Sequence, residues 1–155
     1  MTDFNPAEGS ASIVSVTDRV RPVRLAAPAS AVHFLGDVAA FVGAEEAIWL
    51  ADGTDVTPIP ALGGGILCST SDRKRVVAGG DDGRVVAVDA KGAVETVATD
   101  AKRRWIDNVA LHPDGAVAWS VGKTAYVRPP KGEEKSLDVP STVGGLAFAP
   151  KGLRL

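Results

Sequence analysis

Apolar residues in this chain fall in short runs separated by turn residues, with no stripe at helical spacing. The runs RVVAGG (75–80) and RVVAVD (84–89) are dense in valine and alanine and flank Asp81, Asp82 and Gly83. Asp-Gly between two such runs marks a hairpin, because glycine takes a positive φ without a side-chain clash. Two paired antiparallel strands are therefore predicted. Neither run alternates between apolar and polar positions, and a strand that is apolar on both faces must be covered on both. The outer segments differ. Residues 136–139 alternate, with Leu137 and Val139 on one side and Ser136 and Asp138 on the other, and residues 21–25 do the same with Val23 and Leu25. That period of two predicts strands with one wet face. Pro22 and Pro58 each remove a backbone donor, which suits only a strand with a free edge.

The unit recurs. VALHPDG (109–115) and LAFAPKG (146–152) align without a gap, 37 residues apart, and each runs into a Pro-x-Gly turn in which proline fixes φ and glycine supplies the reversal. The runs beginning at Ala47, Val85 and Ala125 take equivalent places farther along, at spacings of 38 and 40 residues. Four short strands repeating about every forty residues is the sequence form of a propeller blade. The expected fold class is all-β, with blades of four antiparallel strands over 31–60, 65–100 and 106–140, the start of a fourth over 143–155, and an incomplete ring. Residues 1–20 are expected to form a flexible tail ahead of a partial propeller spanning 21–155.

With 155 residues and 45% hydrophobic content, the chain suits one compact domain. Lys+Arg 17 against Asp+Glu 19 leaves a formal charge of −2, so there is no basic field to neutralise a phosphate backbone, and nucleic acid is not an expected partner. Cys68 is the lone cysteine, which suits a reducing compartment. No basic start with an apolar run opens the sequence, and no stretch approaches the roughly 18 apolar residues of a membrane span. A cytoplasmic protein without membrane partners is the expectation.

At RRWIDNVALHPDG, AGGDDGRVVAVDAKG and VGGLAFAPKG the chain resembles the WD-repeat family of β-propellers, over about residues 31–155. Asp82 stands where that family has its turn aspartate, and Asp89 where it has the aspartate of its Trp-Asp pair. No Gly-His precedes any unit, and Val88 sits in the tryptophan's place. The resemblance implies that residues 21–28 form a latch strand completing the last blade of a ring, a blade that this sequence lacks. An open blade face of several hundred Å² would cost on the order of 10 kcal/mol of lost burial, comparable with the stability of a whole domain. Either the chain is part of a longer propeller, the favoured reading because Leu155 falls inside a strand, or copies self-associate through their unclosed edges.

The resemblance also implies that the loop entering the third unit faces an end that commonly binds partners. Its residues Arg103, Arg104, Trp105 and Asp107 are the candidate protein-binding set, since tryptophan and arginine most often carry interface energy. The competing reading packs Trp105 between blades and leaves the arginines solvated. Asp82, Gly83, Asp114 and Gly115 are expected as turn residues, and Asp81 with Asp82 as turn formers rather than an acid–base pair. His112, just before Pro113, is expected to cap its turn, with His33 rated similarly, and neither has a metal-ligating neighbour at suitable spacing. Cys68 is expected as a small buried apolar group. Gly63, Gly64 and Gly65 lack the lysine and helix of a phosphate loop and read as a link between blades. No cofactor, metal or catalytic residue is expected, and the leading function is a non-enzymatic scaffold. The alternative is a propeller enzyme or small-ligand binder at the central channel, with Asp107 and Asn108 as contributors.

Overall fold

The computed structural model describes residues 15–155. Among the described residues twelve strands form three four-stranded antiparallel sheets, each made of strands consecutive in the chain. The first holds β1 (Ala29–Leu35), β2 (Val38–Gly43), β3 (Ala47–Asp52) and β4 (Asp55–Pro60). The second holds β5 (Ile66–Ser71), β6 (Arg75–Gly80), β7 (Arg84–Asp89) and β8 (Val94–Thr99). The third holds β9 (Asn108–Leu111), β10 (Val117–Val121), β11 (Thr124–Arg128) and β12 (Lys135–Asp138). These are three propeller blades in an open ring.

The β6–β7 hairpin lies where the sequence puts it, and it is dry on both sides. Val76, Ala78, Val86 and Val88 pack against Leu35, Val42, Ile48 and Leu50 of blade 1. Val77, Val85 and Ala87 pack against Ile106, Val117, Trp119 and Val121 at blade 3. Alternation along each strand thus sends one set of valines to each neighbour, which is why neither run looks amphipathic. Ile48 and Leu50 turn toward blade 2 as Val85 and Ala87 turn toward blade 3, so Ile48, not Ala47, is the counterpart of Val85. A slip of one residue reverses every face, and the repeat from blade 1 to blade 2 is therefore 37 residues, not 38.

At the rim, residues 21–28 form no strand; the latch reading pairs them with a last blade that this sequence does not contain, and an extended segment becomes a strand only where a neighbour pairs with its backbone. Leu137 was expected on a buried face, yet all of β12 is exposed and Leu137 is 66% exposed. The register Asn108, Ser120, Ala125, Leu137 runs across the far face of blade 3, and residues 143–150 cover only its inner end. Val143 N donates to Gly122 O, Asn108 Nδ2 donates to Val143 O, and the Phe148 ring meets His112 edge-on at 5.4 Å. This segment, the beginning of a fourth unit, has no partner strand and carries no regular structure. Of the tail expected over 1–20, residues 1–14 lie outside the described residues; beyond them Val16–Arg19 forms one 3-10 turn in which the Thr17 N–H donates to the Ser15 hydroxyl.

Candidate functional site

Two turns and two connections meet at one end of the blades. The β6–β7 turn carries Asp81, Asp82 and Gly83, and the connection ahead of it, residues 61–65, carries three glycines. Asp82 accepts hydrogen bonds from Gly63 N at 2.9 Å, Arg84 N at 3.0 Å and Arg84 Nε at 2.7 Å. Burial by itself would raise this carboxyl, but the Gly63 and Arg84 donors outweigh it and hold the group below its ordinary value. Asp81 N bonds to Gly65 O, and a Cβ on Gly64 would collide with the Asp81 carboxylate. The two aspartates thus clasp the glycine link between blades, a role beyond turn formation. Gly83 has φ +80°, and a Cβ there would also lie 2.6 Å from Arg103 Cα, so glycine is required by the turn and by the loop crossing it.

That crossing loop, residues 100–107, is the candidate partner-binding segment. Asp100 organises it: its carboxylate accepts from Lys102 N at 3.0 Å, Arg104 N at 2.9 Å and the Arg104 guanidinium at 2.7 and 3.2 Å. The Arg104 guanidinium holds the Asp100 carboxyl at about 2, and the carboxylate in turn raises Arg104. The loop is tied down at both ends, by Asp100 N to Gly83 O at 2.8 Å and by Ile106 N to Gly80 O at 3.1 Å. Ile106 is fully buried, against Gly79, where a Cβ would collide with it. Burial of Ile106 turns its neighbour outward, and Trp105 is 63% exposed. Trp105 therefore does not pack between blades.

Trp105, Arg104 and Asp107 line an open hollow of about 410 Å³ with the β10–β11 turn, Val121 to Thr124. Asp107 Oδ2 accepts from Gly122 N at 2.6 Å, which fixes the hollow's floor. Arg103 stands at φ +54° and points its residue into solvent. On the other side of Arg104 a second hollow of about 390 Å³ reaches Trp119 and Tyr126, whose rings stack at 5.5 Å, and Arg128, 5.7 Å above the Trp119 ring and paired with Glu134. The sequence run AKRRWIDN signals the loop. Nothing local signals Gly122 to Thr124 or the second hollow, because both come from the neighbouring strands.

The other candidates have structural partners. Asn108 Nδ2 donates to Ser120 Oγ and to Val143 O. His112 Nδ1 accepts from Asp114 N at 3.2 Å and Gly115 N donates to His112 O, so the histidine caps the turn in which Gly115 has φ +94°. His33 Nε2 lies 3.0 Å from Ser69 Oγ, and burial lowers its pKa. Burial pushes the Cys68 thiol up to about 11, far from a thiolate nucleophile at neutral pH. Asp89 accepts from Lys91 N and Ala93 N, and those donors lower its pKa. Among the described residues no group of three or more His, Cys, Asp and Glu side chains is placed to hold a metal ion, and no helix is long and apolar enough to cross a membrane.

No protein-family model matches the chain, nor does any curated protein. Its fold is similar to that of the computationally designed Ika4 protein, with a TM-score of 0.67 and 17% identity, covering 81% of this chain and 82% of that one. It is similar also to the β-propeller domain of Cps50 (Swd1) from Myceliophteria thermophila, at TM-score 0.60 and 14% identity, covering 79% of this chain and 43% of that one. The fold is that of a β-propeller. A third structure to which the fold is similar is dihydro-heme d1 dehydrogenase NirN in complex with DHE, at TM-score 0.60 and 21% identity, covering 80% of this chain and 31% of that one. The propeller blades here thus span most of Ika4 but less than half of either natural protein.

Proposed function

We propose that this propeller is a WD-repeat-like, non-enzymatic scaffold that docks a protein partner at the end carrying residues 100–107. A propeller fold does not choose between scaffold and enzyme; Cps50 and the dehydrogenase NirN are both neighbours. The choice rests on one observation: Trp105 is 63% exposed on a loop already held rigid by Asp100 and Ile106. An exposed indole on a pre-ordered loop binds with little further loss of conformational freedom. Lys102, Arg103 and Lys123 surround it and belong to none of the ion pairs among the described residues, so the partner segment that fits is acidic with one apolar anchor. The carboxylates nearest the hollow, Asp100 and Asp107, are committed to backbone N–H groups, which speaks for a docking site over an acid–base site. Cys68, the one cysteine of the sequence and half-buried, suits a cytoplasmic setting.

Affinity capture compared between the wild type and Trp105→Ala tests the reading. The expected result is a small set of proteins lost at least about tenfold with Trp105→Ala, with an unchanged melting temperature. Equal capture by both proteins would overturn it.

A further inference from the structure

We propose that the hollow of about 390 Å³ beside Arg104 is a second subsite of the docking surface, in which a carboxylate side chain of the partner segment takes the place of Glu134 on Arg128. The inference rests on the docking reading of Trp105. The two hollows share one wall: Arg104 lines both, with Trp105 and the β10–β11 turn on one side and Trp119, Tyr126, Arg128 and Glu134 on the other. A segment anchored on Trp105 that continues over Arg104 therefore enters the second hollow, in the seam between blades 2 and 3.

Two guanidinium–carboxylate pairs stand in this hollow, and they differ in kind. Asp100 accepts from two backbone N–H groups as well as from the Arg104 guanidinium, and its side chain is 8% exposed. It is a fixed part of the wall. Glu134 meets Arg128 through a single hydrogen bond, from Arg128 Nη2 to Glu134 Oε2 at 2.8 Å, and the two side chains are 36% and 44% exposed. An exposed pair of this kind contributes little to stability, so another carboxylate can replace Glu134 at small cost. Arg128 does not depend on Glu134 for its position: its guanidinium lies 5.7 Å from the centroid of the Trp119 ring, which stacks on Tyr126, and β-pairing with Val117 fixes its backbone. The cation is in place before a partner arrives. A guanidinium carries five N–H donors in a fork that matches a carboxylate, and Glu134 engages one of them. Lys102 lines the same hollow and belongs to none of the ion pairs among the described residues. Lys102, Arg104 and Arg128 thus outnumber Asp100 and Glu134, and the positive excess grows when Glu134 swings away. That excess, and the carboxylate already seated on Arg128, define the occupant as an aspartate or glutamate side chain of the segment whose apolar residue meets Trp105.

Selection from a random dodecapeptide library displayed on phage tests the proposal, with the selected peptides then made synthetically and their affinities measured by fluorescence anisotropy. The wild type is expected to select peptides that carry an apolar residue and an aspartate or glutamate at a constant spacing. Replacing that acidic residue by alanine, or introducing Arg128→Gln into the protein, is expected to weaken binding about tenfold. Glu134→Gln is expected to act in the opposite sense and tighten the same peptides about two- to fivefold, because it removes the internal competitor. Glu134 is exposed, so this variant keeps the test intact should Arg128→Gln fail to fold. Trp105→Ala is expected to weaken every selected peptide. Peptides that need Trp105 but have no acidic position, or whose affinity Glu134→Gln leaves unmoved, overturn the second subsite and leave the docking reading standing. Binding that ignores Trp105→Ala, or a library that yields no binder, overturns both.

Discussion

The two seams of this molecule solve one problem in opposite ways. Between blades 1 and 2 the connection, residues 61–65, is short and glycine-rich, with Ala61 and Leu62 buried; the hairpin turn supplies a carboxylate, Asp82, to the connection's Gly63 N–H. Between blades 2 and 3 the connection is longer and charged, and here it supplies the carboxylate, Asp107, to the Gly122 N–H of the hairpin turn. Both seams bury valines from the same hairpin, β6–β7. Apolar packing therefore sets the blade angle in each, while connection length decides whether the end is sealed or open. Only the second leaves enough chain for Asp100 to fold a loop and lift Trp105 into solvent. The lesson is that the candidate site arises from surplus connection over an unchanged core.

The largest expected effect comes from breaking one core contact per seam. Ile106→Ala and Ile48→Ala, both at fully buried positions, should each cost about 2–5 kcal/mol in urea-unfolding free energy. Ile106→Ala should additionally loosen residues 100–107, read as faster amide exchange there, whereas Ile48→Ala should not. Similar loop exchange in both variants would contradict the division of labour between seams.

Next come the carboxylate clasps. Asp82→Ala leaves the Gly63 and Arg84 N–H groups without their acceptor, and Asp107→Ala does the same to Gly122. Each should cost about 1–2 kcal/mol, measured by the same unfolding midpoints. Combining them should be nearly additive if the seams are independent; a coupling above about 1 kcal/mol would show that they act as one unit.

A smaller effect is the response to acid. Asp100 has a folded pKa of about 2 against an ordinary 3.8, so its stabilisation is complete above about pH 4 and is lost as pH falls through about 2. Because the Arg104 partner is 47% exposed, solvent screening reduces this contribution to about 1 kcal/mol or less. Asp82 and Asp89 are lowered as well and act in the same direction. Asp100→Asn should flatten the acid limb of a stability–pH curve while leaving the region above pH 5 only slightly changed. The smallest expected effect on folding is Trp105→Ala, within about 0.5 kcal/mol, checked by thermal melting, because the side chain is largely in solvent. A loss of several kcal/mol there would return Trp105 to a packing role.

Local signals in the sequence were strong where a residue's job is local. Asp-Gly between two valine-rich runs marks the β6–β7 hairpin because Gly83 must take a positive φ, and runs apolar at every position mark strands covered twice. The latch expected over 21–28 shows the limit. The alternation of Val23 and Leu25 is compatible with a strand, but strand formation needs a partner backbone, and that is not encoded in the segment. Likewise the Asp82–Gly63 and Asp107–Gly122 bonds join residues 19 and 15 positions apart, and no local pattern distinguishes those carboxylates from ordinary turn aspartates.

The amino-acid sequence alone determined the repeating four-strand unit, its turns and the dryness of its middle hairpin, because side-chain period and backbone freedom are properties of neighbouring residues. Which valine faces which blade, which carboxylate meets which N–H, and that Trp105 points outward while Ile106 points inward were decided only by the tertiary structure. Those choices depend on surfaces that exist only once the blades are stacked.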